Sequence, residues 1–264
     1  MNKISLCLLA ISLVFGSCSK KIATTAPATP ATPAVATATA PAVSATKSDA
    51  KAIEIMTAYI NAIGGKEKLM SVKTMMTKMS ASTGMGEITI TNYVKDGKSA
   101  MKTEMAGSTV MEQIFDGTVV QVSGMGGTQK LTDGAIIKGA QKQARLFDEL
   151  DQLLSGKSIL KFMGTEDLNG KQVNKITVTD EDKNETTQYF DAATNYLVRT
   201  ISSVDAMGSK SSQTMDFGDY QDVNGVKFPH SIKMTGGAIP FPLELKVAAM
   251  MMNSDLPDQL FKIN

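Results

Sequence analysis

The chain has 264 residues, a formal net charge of +1, 42% hydrophobic and 5% aromatic residues, 18 methionines and no tryptophan. This length fits one domain or at most two. The balanced charge argues against a nucleic-acid-binding surface, which needs lysine and arginine clustered on one face. We therefore expect no nucleic-acid partner.

The first residues have the pattern of a bacterial export signal. Lys3 supplies a positive start, residues 4–15 form an almost unbroken apolar run, and the small residues Gly16 and Ser17 follow. The run is shorter than the roughly 20 apolar residues that a transmembrane helix needs. The pattern predicts a signal peptide over residues 1–17, cleaved before Cys18.

The residues around Cys18 resemble the lipobox of bacterial lipoproteins, with Phe15 where leucine is usual. The resemblance implies that the Cys18 thiol is acylated, with chains such as palmitate, and holds the protein to a membrane. An ordinary secreted protein with an incidental cysteine is the alternative. Cys7 is the only other cysteine and lies in the segment to be removed, so the mature chain has no cysteine for an internal disulfide.

A polar and proline-rich segment follows the lipid site. Residues 22–47 are almost entirely alanine, threonine, proline, valine and serine, which cannot bury enough apolar surface to offset the ordering entropy. We predict a disordered tether over residues 18–47, which at about 3 Å per residue spans tens of ångströms. No acidic cluster lies between Cys18 and Asp49, and because such a cluster resembles a surface-export signal in some Gram-negative lineages, its absence favours the periplasmic face of the membrane. We expect an anchor in the outer membrane that faces the periplasm, with the inner membrane left open.

Two apolar patterns with helical spacing occur in the domain that we predict over residues 48–264. Ser48 or Asp49 can cap the first helix, and Gly64-Gly65 can end it in the left-handed conformation. The second pattern, over residues 135–154, predicts one long helix. The apolar positions are Ile53, Met56, Ile60 and Ile63 in the first pattern, and Ile136, Ile137, Ala140, Ala144, Phe147, Leu150 and Leu154 in the second.

The remainder of the domain alternates between apolar and polar residues. Four tight-turn pairs separate the alternating runs, and such pairs are strong signals for hairpins. The order is a helix, about five strands, a helix and about six strands. This order predicts an α+β fold, with helices packed on one face of a curved antiparallel sheet of about 11 strands. The turn pairs are Asp96-Gly97, Asp116-Gly117, Asn169-Gly170 and Asn224-Gly225.

Several strands carry long apolar rows that can line a ligand cavity. A strand's alternate residues share a face, and methionine side chains adapt to ligands of varied shape. A concave sheet lined in this way suits an acyl chain, whereas the simpler interpretation is a filled hydrophobic core. The candidate ligand-binding residues are Ile88, Ile90, Met101, Met105, Val226, Phe228, Ile232, Met234, Leu243 and Leu245.

The order of elements resembles the LolA/LolB-like superfamily of lipoprotein carriers and receptors. The resemblance covers about residues 50–264 and is one of pattern. It implies an incomplete β-barrel of about eleven strands, closed by helices on its concave face around a hydrophobic cavity for a lipid or lipoprotein. The residues that suggest it are those from Tyr59 to Gly65, Phe115-Asp116-Gly117, Tyr189-Phe190-Asp191, Tyr196 to Arg199, Asp219-Tyr220, Val226 to Pro229, and Leu256-Pro257 with Leu260-Phe261.

Two departures limit what the resemblance implies. LolA is soluble, whereas this chain has the features of an anchored protein, as LolB does. No segment matches the exposed-leucine loop of LolB. The resemblance therefore implies a cavity for lipid or lipoprotein and does not extend to lipoprotein sorting.

Few residues suggest catalysis or metal binding. His230 is the only histidine, and a histidine-based metal site needs further ligands. Asp180, Asp182 and Asn184 have the spacing of a calcium loop, but Glu185 stands where glycine is required, which favours a solvated hairpin tip. Ser231 adjoins His230, yet neighbouring strand residues point to opposite faces. We expect no metal, no cofactor and no enzyme activity.

Two functions follow from these patterns. The first is a non-catalytic lipoprotein that binds a lipid, an acyl chain or a lipoprotein segment in an apolar cavity. The second is an anchored interaction module with a filled core, which binds protein partners through loops or edge strands. An enzyme using a carboxylate pair such as Glu166-Asp167 is the weakest alternative, because neighbouring carboxylates in a turn are usually solvated.

Overall fold

The computed structural model of the chain describes residues 47–84, 86–206, 209–237 and 239–263. Cys18, the predicted signal peptide and the tether up to residue 46 lie outside the described residues. The predictions of export, acylation and a disordered tether therefore stay predictions.

The described residues form thirteen strands, four α-helices and one 3-10 helix. The helices are α1 (Ala50–Ala62), α2 (Lys66–Ser71), α3 (Gly134–Gln143), α4 (Asp148–Ser155) and the 3-10 helix Asp258–Phe261. The first six strands are β1 (Thr74–Thr83), β2 (Gly86–Lys95), β3 (Lys98–Met105), β4 (Ser108–Phe115), β5 (Val120–Gly124) and β6 (Gly127–Leu131). The other seven are β7 (Ile159–Leu168), β8 (Lys171–Thr179), β9 (Glu185–Asp191), β10 (Leu197–Ala206), β11 (Ser209–Val223), β12 (Val226–Gly236) and β13 (Ile239–Met252).

All thirteen strands belong to one antiparallel sheet. Their order is β6-β5-β4-β3-β2-β1-β13-β12-β11-β10-β9-β8-β7, so the first and last strands pair in the middle. The edge strands are β6 and β7, and α3 and α4 connect them along the chain. The sheet is therefore not closed, and the predicted α+β architecture with a curved antiparallel sheet is confirmed at this level.

Helix α1 packs on the second half of the sheet. Asp49 precedes the helix, and its carboxylate accepts hydrogen bonds from Lys161 Nζ at 3.0 Å and from the backbone N–H of Phe162 at 3.1 Å. The ring of Tyr59 lies 5.3 Å from that of Phe190. The apolar cluster under the helix includes Ile55, Met56, Ile60, Leu160, Ile176, Leu197 and Val226.

The four predicted hairpin turns are confirmed. They join β2 to β3, β4 to β5, β7 to β8 and β11 to β12. Three of them place two successive residues at positive φ, the conformation of a type I′ turn, and asparagine, aspartate and glycine tolerate it. The φ angles are 49° and 70° at Asp96-Gly97, 56° and 81° at Asn169-Gly170, and 54° and 82° at Asn224-Gly225.

The turn between β3 and β4 has the same backbone conformation with a less suitable residue. Ala106 has a φ of 49° and is followed by Gly107 at 79°. A non-glycine residue in this region is strained, and asparagine tolerates it better than alanine. We expect Ala106→Asn to raise the free energy of unfolding by about 0.5–1 kcal/mol. Urea titration measures the change, and a decrease in stability would contradict the prediction.

The predicted count of about 11 strands is wrong, because polar strands give no apolar alternation. Every residue of β6 except Leu131 is exposed. The start of β11 is equally polar, with Ser211 and Ser212 before the buried Gln213. When strands are counted from alternating apolar residues, such polar segments are not recognised as strands, and the predicted number is too low.

The single helix predicted over residues 135–154 is also wrong. The structure has α3 and α4 instead, with Phe147 in an extended conformation between them. The two helices pack on different clusters. Ala140 and Ala144 contact Phe115 and Val120, whereas Leu150 joins the cluster under α1. A straight helix cannot reach both clusters.

Of the described helices, none combines the length and apolar character that crossing a membrane requires.

Candidate functional site

An apolar hollow of about 310 Å³ lies between the two halves of the sheet. Seven strands contribute to it, and α3 contributes Gln143. Five methionines are among the lining residues, and none of the described residues that line the hollow is charged. The lining residues are Met75, Thr77, Met79, Ile90, Asn92, Tyr93, Val94, Ser99, Ala100, Met101, Gln113, Gln143, Met215, Phe228, Ile232, Met234 and Leu245.

Strand register brings the apolar rows of both halves together. On one side, Ile232 pairs with Leu245 and Met215 pairs with Met234. On the other side, β1 pairs with both β2 and β13, so that Met75 and Met79 lie between the rows. Because alternate strand residues share a face, these pairings direct one continuous apolar surface into the hollow.

A polar row crosses this otherwise apolar wall. Thr77 pairs with Asn92, Asn92 pairs with Met101, and Met101 pairs with Gln113. The Nε2 of Gln113 donates to the Oε1 of Gln143 at 3.1 Å, which links the row to α3. The hollow is therefore amphiphilic, with uncharged polar groups along one line and apolar side chains elsewhere.

Comparison with solved structures finds the same arrangement of strands and helices. A LolA superfamily protein from Nitrosomonas europaea is 14% identical, with a TM-score of 0.53 over 80% of this chain and 97% of that chain. A putative outer membrane lipoprotein-sorting protein domain from Vibrio parahaemolyticus is 13% identical, with a TM-score of 0.54 over 80% and 96%. A DUF1329 family protein from Desulfovibrio piger is 10% identical, with a TM-score of 0.54 over 80% and 97%.

The protein has the LolA-like fold. The resemblance inferred from the sequence is thus confirmed at the level of the fold. No protein-family model and no curated protein sequence matches the chain. None of the three similar structures named above is described as an enzyme.

Within the LolA-like fold, the ten predicted ligand-binding residues separate into two groups. Six line the hollow: Ile90, Met101, Phe228, Ile232, Met234 and Leu245. The other four lie outside its lining. Ile88 and Leu243 are buried in the cluster beside it, Met105 packs against that cluster, and Val226 belongs to the cluster under α1. The ligand role of all ten stays a prediction.

The sequence analysis missed several lining residues that had a recognisable signal. Met75, Thr77 and Met79 alternate with Met76 and Lys78 along β1, which is the period of a strand. Two others had a weaker signal. Asn92 and Gln113 lie in strand rows but are polar, and they were left out of a site defined by apolar residues.

His230 does not line the hollow. Its Nδ1 lies 2.9 Å from the carbonyl oxygen of Phe228. It contributes instead to a separate surface hollow with Asp219, Gln221 and Lys246. His230 is therefore half-buried, with one ring nitrogen at hydrogen-bond distance from a backbone carbonyl.

The calcium-like segment forms the turn between β8 and β9. Asp180 accepts hydrogen bonds from the backbone N–H groups of Asp182 and Asn184 at 2.9 and 2.8 Å. Its carboxylate also pairs with Lys142, and Asp182 pairs with Lys138. Burial alone raises the pKa of Asp180, but the hydrogen bonds from Lys142 and Asn184 outweigh it and lower the pKa. Lysines of α3 thus neutralise these carboxylates, and the described residues contain no metal-binding cluster.

Glu149, a partly buried glutamate of α4, lies near the phenol groups of Tyr59 and Tyr220. Burial, and secondly the charge of Asp148, raise the pKa of Glu149 to about 7. Tyr59 and Tyr220 lie close enough for the charge of Glu149 to raise their pKa values, although burial is the larger cause. Tyr220 donates to the carbonyl oxygen of Leu197 at 2.8 Å. With a pKa of about 7, the carboxyl group of Glu149 changes its protonation near neutral pH.

Proposed function

We propose that the protein is a non-catalytic lipoprotein of the cell envelope that binds a lipid, an acyl chain or a lipoprotein segment in the hollow. The observation that carries the proposal is the uncharged, methionine-rich lining of a cavity of about 310 Å³. Small-molecule pockets typically measure roughly 300–1,000 Å³ and are mostly apolar with a few polar groups. The proposed ligand-binding residues are the six predicted positions that line the hollow, with Met75, Met79 and Met215.

The proposed anchor is the acylated Cys18, with a signal peptide over residues 1–17, a tether over residues 18–47 and the binding domain over residues 48–264. The first two residues of the domain, which follow the tether, are fixed to edge strand β7. Asp49 N–H donates to the Leu160 carbonyl oxygen at 2.8 Å, and Ser48 Oγ accepts from Leu160 N–H at 3.0 Å. The lipid anchor lies in the outer membrane, and the domain faces the periplasm. An outer membrane lipoprotein-sorting domain has a similar fold, which supports this placement.

The proposal places the helices on the concave face of the sheet, where they limit access to the hollow. Helix α3 contributes Gln143 to the lining, and its lysines pair with the β8–β9 turn in the other half of the sheet. These contacts support a position of α3 that bridges the two halves of the sheet. A bound chain then enters beside α3 and buries its apolar surface against the methionines.

A charge placed in the hollow tests this function. Met215 is partly buried and lines the cavity, so Met215→Glu introduces a carboxylate that an apolar ligand cannot solvate. We expect the affinity for the hydrophobic dye 1-N-phenylnaphthylamine to fall at least tenfold, measured by fluorescence titration.

The matched control is Met163→Glu, because Met163 is a 58% exposed methionine of β7 that does not line the hollow. We expect it to bind the dye as the unaltered protein does. Equal dye binding by both variants would contradict the proposed site.

The second candidate is an interaction module that pairs an edge strand with a partner protein. The exposed strand β6 favours it, because among the described strands only β5 pairs with β6. Crosslinking in cells distinguishes the two functions. A single stable protein partner that crosslinks to β6, together with an empty hollow, would support the module instead of the carrier.

A further inference from the structure

The polar row in the hollow offers hydrogen-bonding groups that a purely apolar ligand would not need. Asn92 lies in the middle of β2, and asparagine is unfavourable within strands. Its side chain faces the hollow, and no hydrogen bond to it is found within the described ranges. Asn92 is half-buried, so water can reach its amide in the open hollow, and a ligand that displaces this water has to supply hydrogen bonds in its place.

A second unpaired group lies on the same strand face as Met101. Thr103 is 6% exposed, and its buried hydroxyl has no partner among the described residues. It pairs across the sheet with Ile90, which lines the hollow. The half-buried amide of Asn92, which lines the hollow, and the buried hydroxyl of Thr103, which lies beside the lining, are thus on neighbouring strands about 4.8 Å apart.

We infer that the hollow selects a molecule with one acyl chain joined to an uncharged ester or amide group. The inference rests on the proposed function and specifies its ligand. The ester or amide lies along Asn92 and Gln113, which offer amide donors and acceptors, while the chain extends along Met79, Met215 and Leu245. The volume of about 310 Å³ is at the lower end of the range for small-molecule pockets, which favours a ligand with one acyl chain.

The lining argues against a charged headgroup inside the cavity. None of the described lining residues is charged, so a carboxylate or phosphate would lose its hydration without gaining a counter-ion. Neutral amide groups offer single hydrogen bonds, which an ester or amide carbonyl can accept without that desolvation penalty. The polar row therefore discriminates against a free fatty acid in favour of its neutral derivatives.

Three probes of equal chain length test the inference. The full mature chain carrying Cys18→Ser, which needs no detergent, is titrated with 1-monodecanoylglycerol, decanamide and decanoate at pH 8 by calorimetry. We expect the ester or the amide to bind at least tenfold more tightly than decanoate. The relative affinities of ester and amide then distinguish an acylglycerol from an N-acyl ligand.

Two variants locate the effect. Asn92→Leu and Gln113→Leu each remove a hydrogen bond, and we expect each to weaken binding of the preferred neutral probe about five- to tenfold, with little change for decanoate. Gln129→Leu, at an exposed amide of β6, is the control. Dye binding, which requires no hydrogen bond, reports whether the variants keep the hollow.

The outcomes are distinguishable. If decanoate binds as tightly as the neutral probes, or if both variants bind all probes normally, the inference is wrong while the binding function stands. If neither the dye nor any probe binds to the unaltered chain, the proposed function fails and the inference fails with it.

Discussion

Substituting Gly64 with alanine is expected to destabilise the protein by about 2–4 kcal/mol. Gly64 follows α1 at a φ of +138°, and an added Cβ would lie 2.8 Å from the carbonyl oxygen of Gly225. The end of α1 is held against the β11–β12 turn because the N–H of Lys227 donates to the Ile63 carbonyl oxygen at 2.8 Å. Alanine therefore adds a steric clash to backbone strain. Thermal unfolding should show a midpoint lower by roughly 5–15 °C.

Gly97→Ala separates the two effects. Gly97 has a φ of +70° in the β2–β3 turn, and no atom lies within 4 Å of an added Cβ. We expect this control to lose only about 1–2 kcal/mol from backbone strain. If both variants lost the same free energy, the close contact between the end of α1 and the β11–β12 turn would not exist as described.

Removing the carboxyl group of Glu149, a partly buried residue of α4, is expected to change how stability depends on pH. The pKa of Glu149 is about 7 in the folded protein, above the ordinary value of 4.5. Between these two values the folded state binds more protons than the unfolded state, so the free energy of unfolding falls as pH rises. We expect Glu149→Gln to stabilise the protein by about 1–3 kcal/mol at pH 8, a range reduced for partial solvent exposure, and by little at pH 4.5.

Urea titrations at pH 4.5 and pH 8 measure this difference. Glu67→Gln is the control, because Glu67 is exposed on α2. We expect no comparable pH-dependent gain from it. A Glu149→Gln variant that gains the same stability at both pH values would contradict the assignment of the raised pKa to this carboxyl group.

Local signals in the sequence predicted much of the fold. The turn pairs specified their own conformation, because Asp96-Gly97 and Asn224-Gly225 tolerate two successive positive φ angles. The first helix begins at Ala50 and is followed by Gly64 at positive φ, close to the predicted limits. The fold resemblance followed from the order of such elements, which local periodicity determines.

Features that depend on tertiary packing could not be predicted in this way. The break between α3 and α4 exists because Ala144 and Leu150 pack on different clusters, although their spacing continues one helical pattern. Strand β6 is an edge strand without an apolar face, so its pattern indicates no strand.

The candidate site shows the same division. The alternation of apolar and polar residues showed which residues share a strand face, but not which of them border the hollow. Ile88 and Ile90 were therefore both predicted to bind the ligand. In the structure Ile90 lines the hollow, whereas Ile88 is buried beside it. The role of Asn92 depends on cross-strand register with Met101 and Gln113, which no single segment of sequence contains.

Native mass spectrometry of the protein extracted from membranes tests the central claim, that the hollow holds a lipid. We expect a population heavier than the acylated chain by the mass of one singly acylated molecule, and we expect Met215→Glu to lose it while Met163→Glu retains it. A chain that carries no additional lipid mass, and that shows no dye binding, would contradict the account.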